Sequence, residues 1–281
     1  MPGTLYIVAT PLGNLEDMTY RAVRILGEVD LIAAEDTRHS LKLLNHFSIS
    51  KPLTSYFDHN QHFKGERILD ALRQGKSVAL ISDAGTPCIS DPGFNLVREA
   101  VAEGIPVIPV PGACAATTAL SAAGLPSDTF TFAGFPPSRQ GKRRAFLSEL
   151  TGLPGTLILY EAPHRLEETL ADIHLTMGDR QVVVARELTK LYEEFIRGSL
   201  PELIEAVAAG KARGEIVILI APGERVVAEV EPLDVLLRRF LDEEGLSVKD
   251  AAKKAAVITG VSRSEAYDEA LKLRNDANPA K

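Results

Sequence analysis

The sequence predicts an α/β protein made of two α/β domains and a small helical C-terminal appendage, and three features predict it. Short apolar runs alternate with longer amphipathic ones up to about residue 125. The alternation restarts after a turn-rich break, and strand-like runs cease near residue 231. Apolar runs of four or five residues read as strands buried on both faces, and the segments between them carry apolar residues at helical spacing. Strands alternating with helices imply a mainly parallel sheet covered on both sides.

In the first domain, residues 1–125, strands are expected at Leu5–Ala9, Leu31–Ala34, Val78–Ile81 and Val107–Val110, and helices over Thr19–Leu26, His39–Phe47, Glu66–Gln74 and Pro92–Glu103. The break is Gly124-Leu125-Pro126-Ser127-Asp128, a cluster of turn formers. The second domain, residues 126–230, offers strands at Thr129–Ala133, Leu157–Tyr160, Val182–Ala185, Phe195–Ser199 and Ile216–Ile220. Helices are expected around Glu167–Thr176 and Leu200–Ala209. The appendage, residues 231–281, reads as three helices, Leu233–Glu243, Val248–Ile258 and Arg263–Leu273. Ser247 and Ser262 are expected N-caps, Ser262 with Glu265 having capping-box spacing, and Gly260 can supply the left-handed residue that ends the middle helix.

The chain has 281 residues, 45% hydrophobic and 25% charged, which fits a globular protein able to bury its core without disulfides or metal. Its two cysteines, Cys88 and Cys114, form no CxxC pair and no cluster with histidine, so neither a disulfide framework nor a zinc site is expected. No apolar run approaches the ~20 residues that span a bilayer, and no basic lead precedes the first apolar segment. A cytoplasmic protein is expected. The net charge of −7 opposes RNA binding in bulk, so that question turns on where the cations lie.

Parallel sheets place ligands at the carboxyl ends of their strands, and four strand ends here are unusual. The first, Ala9-Thr10-Pro11-Leu12-Gly13-Asn14-Leu15-Glu16-Asp17, is not the GxGxxG of dinucleotide sites and alone would pass as a turn. The second, Ser82-Asp83-Ala84-Gly85-Thr86-Pro87-Cys88-Ile89-Ser90-Asp91-Pro92-Gly93, combines small residues, prolines and two carboxylates with no cation. That composition argues against a phosphate cradle and suits an uncharged or positively charged small molecule. A simpler role is helix entry, with Asp91 as N-cap and Pro92 at the first helical position. The third, Pro109-Val110-Pro111-Gly112-Ala113-Cys114-Ala115-Ala116, is another exit lined by small side chains. The fourth, Tyr160-Glu161-Ala162-Pro163-His164-Arg165, gathers a phenol, an acid, an imidazole and a guanidinium in six residues.

Three more stretches, Glu35-Asp36-Thr37-Arg38, Tyr56-Phe57-Asp58-His59-Asn60 and Arg186-Glu187-Leu188-Thr189-Lys190, mix charged and polar groups, with surface ion pairs as their simplest use. The run Ser138-Arg139-Gln140-Gly141-Lys142-Arg143-Arg144 puts four cations in seven positions. On an acidic chain it is the conspicuous basic patch, either a solvated helix start or a phosphate-contacting edge.

The strings Gly3–Pro11 with Gly13-Asn14-Leu15, Ser82–Gly93, Tyr160–Leu166 and Ala185–Lys190 together resemble the small-subunit ribosomal RNA methyltransferases of the tetrapyrrole methylase superfamily. The resemblance runs over nearly the whole chain, including a tail similar to that family's helix-turn-helix appendage. It implies S-adenosylmethionine as cofactor, a homodimer, and 2′-O-methylation of a cytidine in 16S ribosomal RNA. It places cofactor contacts on Leu12, Asp83, Thr86, Cys114, Ala115, Ala162 and Ile216. Cys114 and Cys88 stand where relatives often have serine and glycine, which weakens any requirement for a hydroxyl at residue 114. Candidate general bases are Glu161, His164 and Glu187. Candidate RNA contacts are Arg38, Arg139, Lys142, Arg143, Arg144, Arg165 and Arg186, and no metal-ligand set is present. Two other functions fit the same strings: methylation of a tetrapyrrole, and a non-catalytic ribosome-binding factor that keeps the fold.

Overall fold

A computed structural model describes residues 2–57, 61–210, 214–223 and 231–276. Asp58-His59-Asn60 and the expected second-domain end at residue 230 lie outside them. The chain forms two compact units, residues 1–223 and 224–281, and both sheets belong to the first.

The first sheet contains β1 (Leu5–Val8), β2 (Leu31–Ala34), β3 (Leu53–Ser55), β4 (Val78–Ile81) and β5 (Val107–Val110), all parallel in the order β3-β2-β4-β1-β5. Alternate residues supply its two cores. Leu5, Ala33, Val78 and Leu80 pack with α3 (Gln61–Arg73) and α4 (Phe94–Ala102), whereas Val8, Ile32, Ala34, Ala79 and Ile81 pack with α1 (Tyr20–Glu28) and α2 (Thr37–His46). Strand β3 escapes the apolar-run criterion because it is three residues long, Leu-Thr-Ser, and only half-buried. The expected helix entry at Asp91 and Pro92 is displaced: α4 starts at Phe94, after Gly93 at φ +144°. A Cβ at Gly93 would lie 2.5 Å from Cys88 Sγ and 2.8 Å from Leu80 Cδ2, so this turn has room only for glycine.

The second sheet contains β6 (Phe130–Gly134), β7 (Thr156–Glu161), β8 (Gln181–Arg186), β9 (Glu194–Ser199) and β10 (Ile216–Ile220), ordered β6-β7-β10-β8-β9. It is mixed: β6 and β7 are parallel, and the other neighbours are antiparallel. One face, with Leu157, Leu159, Val182, Val184 and Ile218, packs beneath α6 (Gln140–Leu150), α7 (Leu166–Met177) and α8 (Leu200–Ala209). The other face, with Ile158, Val183, Ala185, Val217 and Leu219, receives α5 (Ala115–Ala123) through Ala116, Ala119, Leu120 and Ala123. Helix α5 follows β5 of the first sheet, so a first-half helix closes the core of the second half.

Arg143 corrects the reading of the basic run. It faces inward from α6 with its side chain 1% exposed, its Nε donating to Asp172 Oδ2 at 2.7 Å and its Nη2 to Glu168 Oε2 at 3.3 Å. Arg144 Nε donates to Asp172 Oδ1 at 2.7 Å, with its side chain 43% exposed. The helix turns these two residues toward α7, so Arg143 holds two helices together and cannot reach RNA.

The second unit contains α9 (Leu233–Arg238), a wide turn over Arg239–Glu243, α10 (Val248–Thr259) and α11 (Arg263–Asp276). Its core joins Leu236, Leu237 and Phe240 to the alanines 251, 252, 255, 256, 266 and 270. Ser247 and Ser262 accept from the backbone N–H groups of Asp250 and Glu265, and Gly260 ends α10 at φ +75°.

The Arg143–Asp172 pair predicts both a mutational and a pH effect. Asp172→Ala leaves the buried Arg143 with its longer ion pair to Glu168 at 3.3 Å and should cost up to about 3–5 kcal/mol in urea unfolding. Burial raises the pKa of Asp172, but the hydrogen bonds from Arg144 and Arg143 outweigh it, and the net value falls below the usual carboxylate range. A depressed folded-state value contributes stability above the unfolded pKa of roughly 4, lost as pH falls through the lower folded value. Unfolding measured from pH 6 down to pH 2 should show this acid loss in the unaltered protein and a smaller loss in the variant.

Candidate active site

In the first sheet β2 and β5 flank the β4–β1 pair, so the loops after β4 and β1 emerge side by side at the strands' carboxyl ends. They are locked together. Thr10 and Gly85 exchange backbone hydrogen bonds at 2.9 and 3.0 Å, and Thr10 Oγ1 donates to Ser82 O. Gly85 is at φ +84°, where a side chain would be strained. Asp83 Oδ1 accepts from the N–H of Asp36 at 3.0 Å, and Thr86 Oγ1 donates to Ala113 O at 3.0 Å, tying in the exits of β2 and β5. Cys88 and Ser90 hold positive φ of 71° and 63°, the kind of non-glycine strain that collects at functional sites. Burial and the nearby Asp91 push the Cys88 thiol up to about 11.

The second sheet supplies the facing wall. Tyr160 Oη accepts from the N–H of Ala116 at 3.0 Å, pinning the start of α5 to β7, and burial raises its pKa well above that of a free phenol. Asn14 N–H donates to Thr189 Oγ1 at 3.2 Å. Gly13 leaves room for the Lys190 stem, since a Cβ there would lie 2.6 Å from Lys190 Cγ. Between these walls lies a cleft of about 440 Å³, within the usual range for small-molecule sites.

All seven expected cofactor positions, Leu12, Asp83, Thr86, Cys114, Ala115, Ala162 and Ile216, line this cleft. Five carboxylates also line it, Glu35, Asp83, Asp91, Glu161 and Glu215, and among the described residues no lysine or arginine does. Small side chains at Ala84, Gly85, Ala115 and Ala162 bring the backbone close to any occupant.

The three expected bases fare differently. Glu161 lines the cleft but is 2% exposed, and both its oxygens accept hydrogen bonds, Oε1 from Ala162 N at 2.7 Å and Oε2 from Thr169 Oγ1 at 2.5 Å. His164 is exposed and off the lining. Glu187, at φ +52°, accepts from Lys190 Nζ at 3.1 Å and Glu215 N at 3.3 Å, which buttresses the wall from behind. The carboxylate standing open on the cleft is Glu215, its side chain 68% exposed, with Lys190 Nζ 3.6 Å away. Sequence reading passed over Glu215, which precedes a strand and belongs to no distinctive string. It also passed over Phe135, an aromatic before two prolines that lines the cleft.

The cations divide likewise. Arg165 is committed within the fold, its Nη2 donating to Pro136 O at 2.6 Å and its Nε 3.4 Å from Glu161 Oε1. Arg186 Nε donates to Glu194 Oε2 at 2.5 Å. Arg38 is exposed beside Asp36 at 3.4 Å. Among the described residues Arg139 and Lys142 are exposed and in no ion pair, at the start of α6.

Residues 4–204 match the family described as Tetrapyrrole (Corrin/Porphyrin) Methylases, and residues 227–274 match the RsmI C-terminal HTH domain. A protein named Ribosomal RNA small subunit methyltransferase I from Pseudomonas aeruginosa is 50% identical, the match covering 96% of this chain and 97% of that one. Its namesake from Halalkalibacterium halodurans is 48% identical over 95% and 94% of the two chains. The chain belongs to the ribosomal RNA small subunit methyltransferase I family. Solved tetrapyrrole enzymes share its fold at lower identity. A cobalt precorrin-4 methyltransferase has a TM-score of 0.58 at 20% identity, over 78% of this chain and 94% of that one. A uroporphyrin-III C-methyltransferase from Thermus thermophilus, complexed with S-adenyl homocysteine, has 0.54 at 20%, over 80% and 99%. Against relatives of the ribosomal RNA small subunit methyltransferase I family at 48–50% identity over nearly full length, the tetrapyrrole substrate considered from sequence loses its support.

Proposed function

We propose that this chain transfers the methyl group of S-adenosylmethionine to the 2′-hydroxyl of a cytidine in small-subunit ribosomal RNA. The observation that carries the cofactor half is the cleft's acidic lining, five carboxylates beside apolar Leu12 and Ile216. Such a donor set fits a ligand with a cationic sulfonium and an apolar-faced adenosine. Leu12, Asp83, Thr86, Cys114, Ala115, Ala162 and Ile216 would hold it, several through backbone atoms. When bound, it supplies an electrophilic methyl carbon.

The chain's part is to place the ribose oxygen and accept its proton. Positioning supplies much of the rate in such a displacement. Glu161 is spent on holding Ala162 and α7, and Glu187 on holding the 214–215 turn. We assign proton acceptance to Glu215, the exposed carboxylate on the wall. Arg139, Lys142 and Arg38 form the RNA path, with the positive end of α6 adding to the first two. The functional unit is read as a cytoplasmic homodimer, following the resemblance, and a single-chain mass in sedimentation would overturn it.

Two sets of variants separate the halves of this reading. Thr86→Trp should fill the cleft and weaken S-adenosylmethionine binding in calorimetry by tenfold or more, leaving RNA affinity intact. Arg139→Ala with Lys142→Ala should do the reverse, flattening the log-affinity against log-salt slope by about one to two. Unchanged slopes would move the RNA path elsewhere.

Glu215→Gln should lower kcat about a hundredfold, within the range of general-base catalysis, with RNA affinity unchanged and cofactor affinity lowered far less than kcat. Full activity would leave positioning as the whole mechanism. Tritium transfer from labelled cofactor to RNA is the direct test, and its absence in the unaltered protein would favour a non-catalytic ribosome-binding factor.

A further inference from the structure

We propose that Phe135 is the platform on which the base of the target nucleotide stacks, an inference that rests on the RNA reading above. In an A-form duplex the 2′-hydroxyl lies in a wide, shallow groove, whereas the wall carrying Glu215 lines a concave cleft. The target nucleotide must therefore enter unpaired, its base deprived of its neighbours. Proteins cover such bases with aromatic rings, and one stacked base changes affinity by about five- to 150-fold.

Among the described residues two aromatic rings line the cleft, and of these Phe135 has a free face to offer. Tyr160 packs edge-on between Phe132 and Phe135, at centroid distances of 4.7 and 5.5 Å, with its hydroxyl held by Ala116. Phe135 is 54% exposed at the cleft, a large apolar ring that the core does not account for.

Its placement is rigid. Gly134, at φ +68°, ends β6 where the register with β7 shifts, and a Cβ there would press on Ser90 Oγ at 3.2 Å. Pro136, buried, and Pro137 follow, and the Arg165 guanidinium grips the Pro136 carbonyl at 2.6 Å. A ring backed by a pinned neighbour and clamped at both flanks loses little freedom when a base lands on it. Ile89, 40% exposed on the first sheet's loop, adds apolar surface to the same cleft.

The chain contains no tryptophan, so Phe135→Trp introduces a single indole reporter. That variant should retain most methyl transfer to undermethylated small ribosomal subunits. Its fluorescence should be quenched by those subunits and left unchanged by S-adenosylhomocysteine alone. Phe135→Ala and Phe135→Leu should both lower kcat/KM for RNA about ten- to a hundredfold, with cofactor affinity and thermal unfolding unchanged. Full activity in Phe135→Leu would overturn the platform, since apolar bulk would then suffice. Loss of cofactor affinity in Phe135→Ala, or an unquenched indole, would overturn it too. If the unaltered protein transfers no methyl to RNA, the RNA reading falls and the platform with it.

Discussion

The fold depends on the seating of α5 against the second sheet. Ala116, Ala119, Leu120 and Ala123 form one stripe on a nine-residue helix, packed on Ile158, Val183, Val217 and Leu219, and the three alanines let its backbone lie close to the sheet. The helix begins at the exit of β5, so the contact joins two sheets with different topologies into one unit. Tyr160 fixes its depth by accepting from the Ala116 N–H. Cys114 and Ala115, at the same helix start, face the cleft. Packing and site geometry are thus set by a single contact, and a larger residue on the stripe would disturb both.

Strands buried on both faces were the most legible elements, because a run such as Val78–Ile81 leaves little other use for four consecutive apolar residues. Helix α5 was the least legible. Its buried positions have helical spacing, but Ala115 stands before them and Ala122 between them, and the run of alanines hides the stripe. Pairing direction was also hidden. The second half has the same local alternation as the first yet forms a mixed sheet, since β10 inserts between β7 and β8, a choice made by distant partners.

The site divides along a similar line. The positions lining the cleft were legible because glycine, proline and alanine at strand ends say that backbone must come close. Side-chain roles were not, because they depend on who else is near. Glu161 reads as a base until Thr169 and Ala162 are found on its oxygens, and Arg143 reads as a phosphate contact until the helix turns it onto Asp172. Charge counted along the sequence overstates the cations available at the surface. Of the basic run, Arg139 and Lys142 remain free, at the head of α6, whose first turn the buried pair anchors.

Part of the cleft wall is bare main chain. Where Gly85, Ala84, Ala115 and Ala162 stand, the ligand-facing surface is main chain, which truncation of a side chain hardly alters. An alanine scan is nearly blind to such a surface and would report a binding site with few determinants. Neutral drift among glycine, alanine, serine and cysteine is equally invisible to it. The informative perturbation is the opposite one, the addition of volume, and the tolerance of each position to a methyl group maps the shape of the occupant.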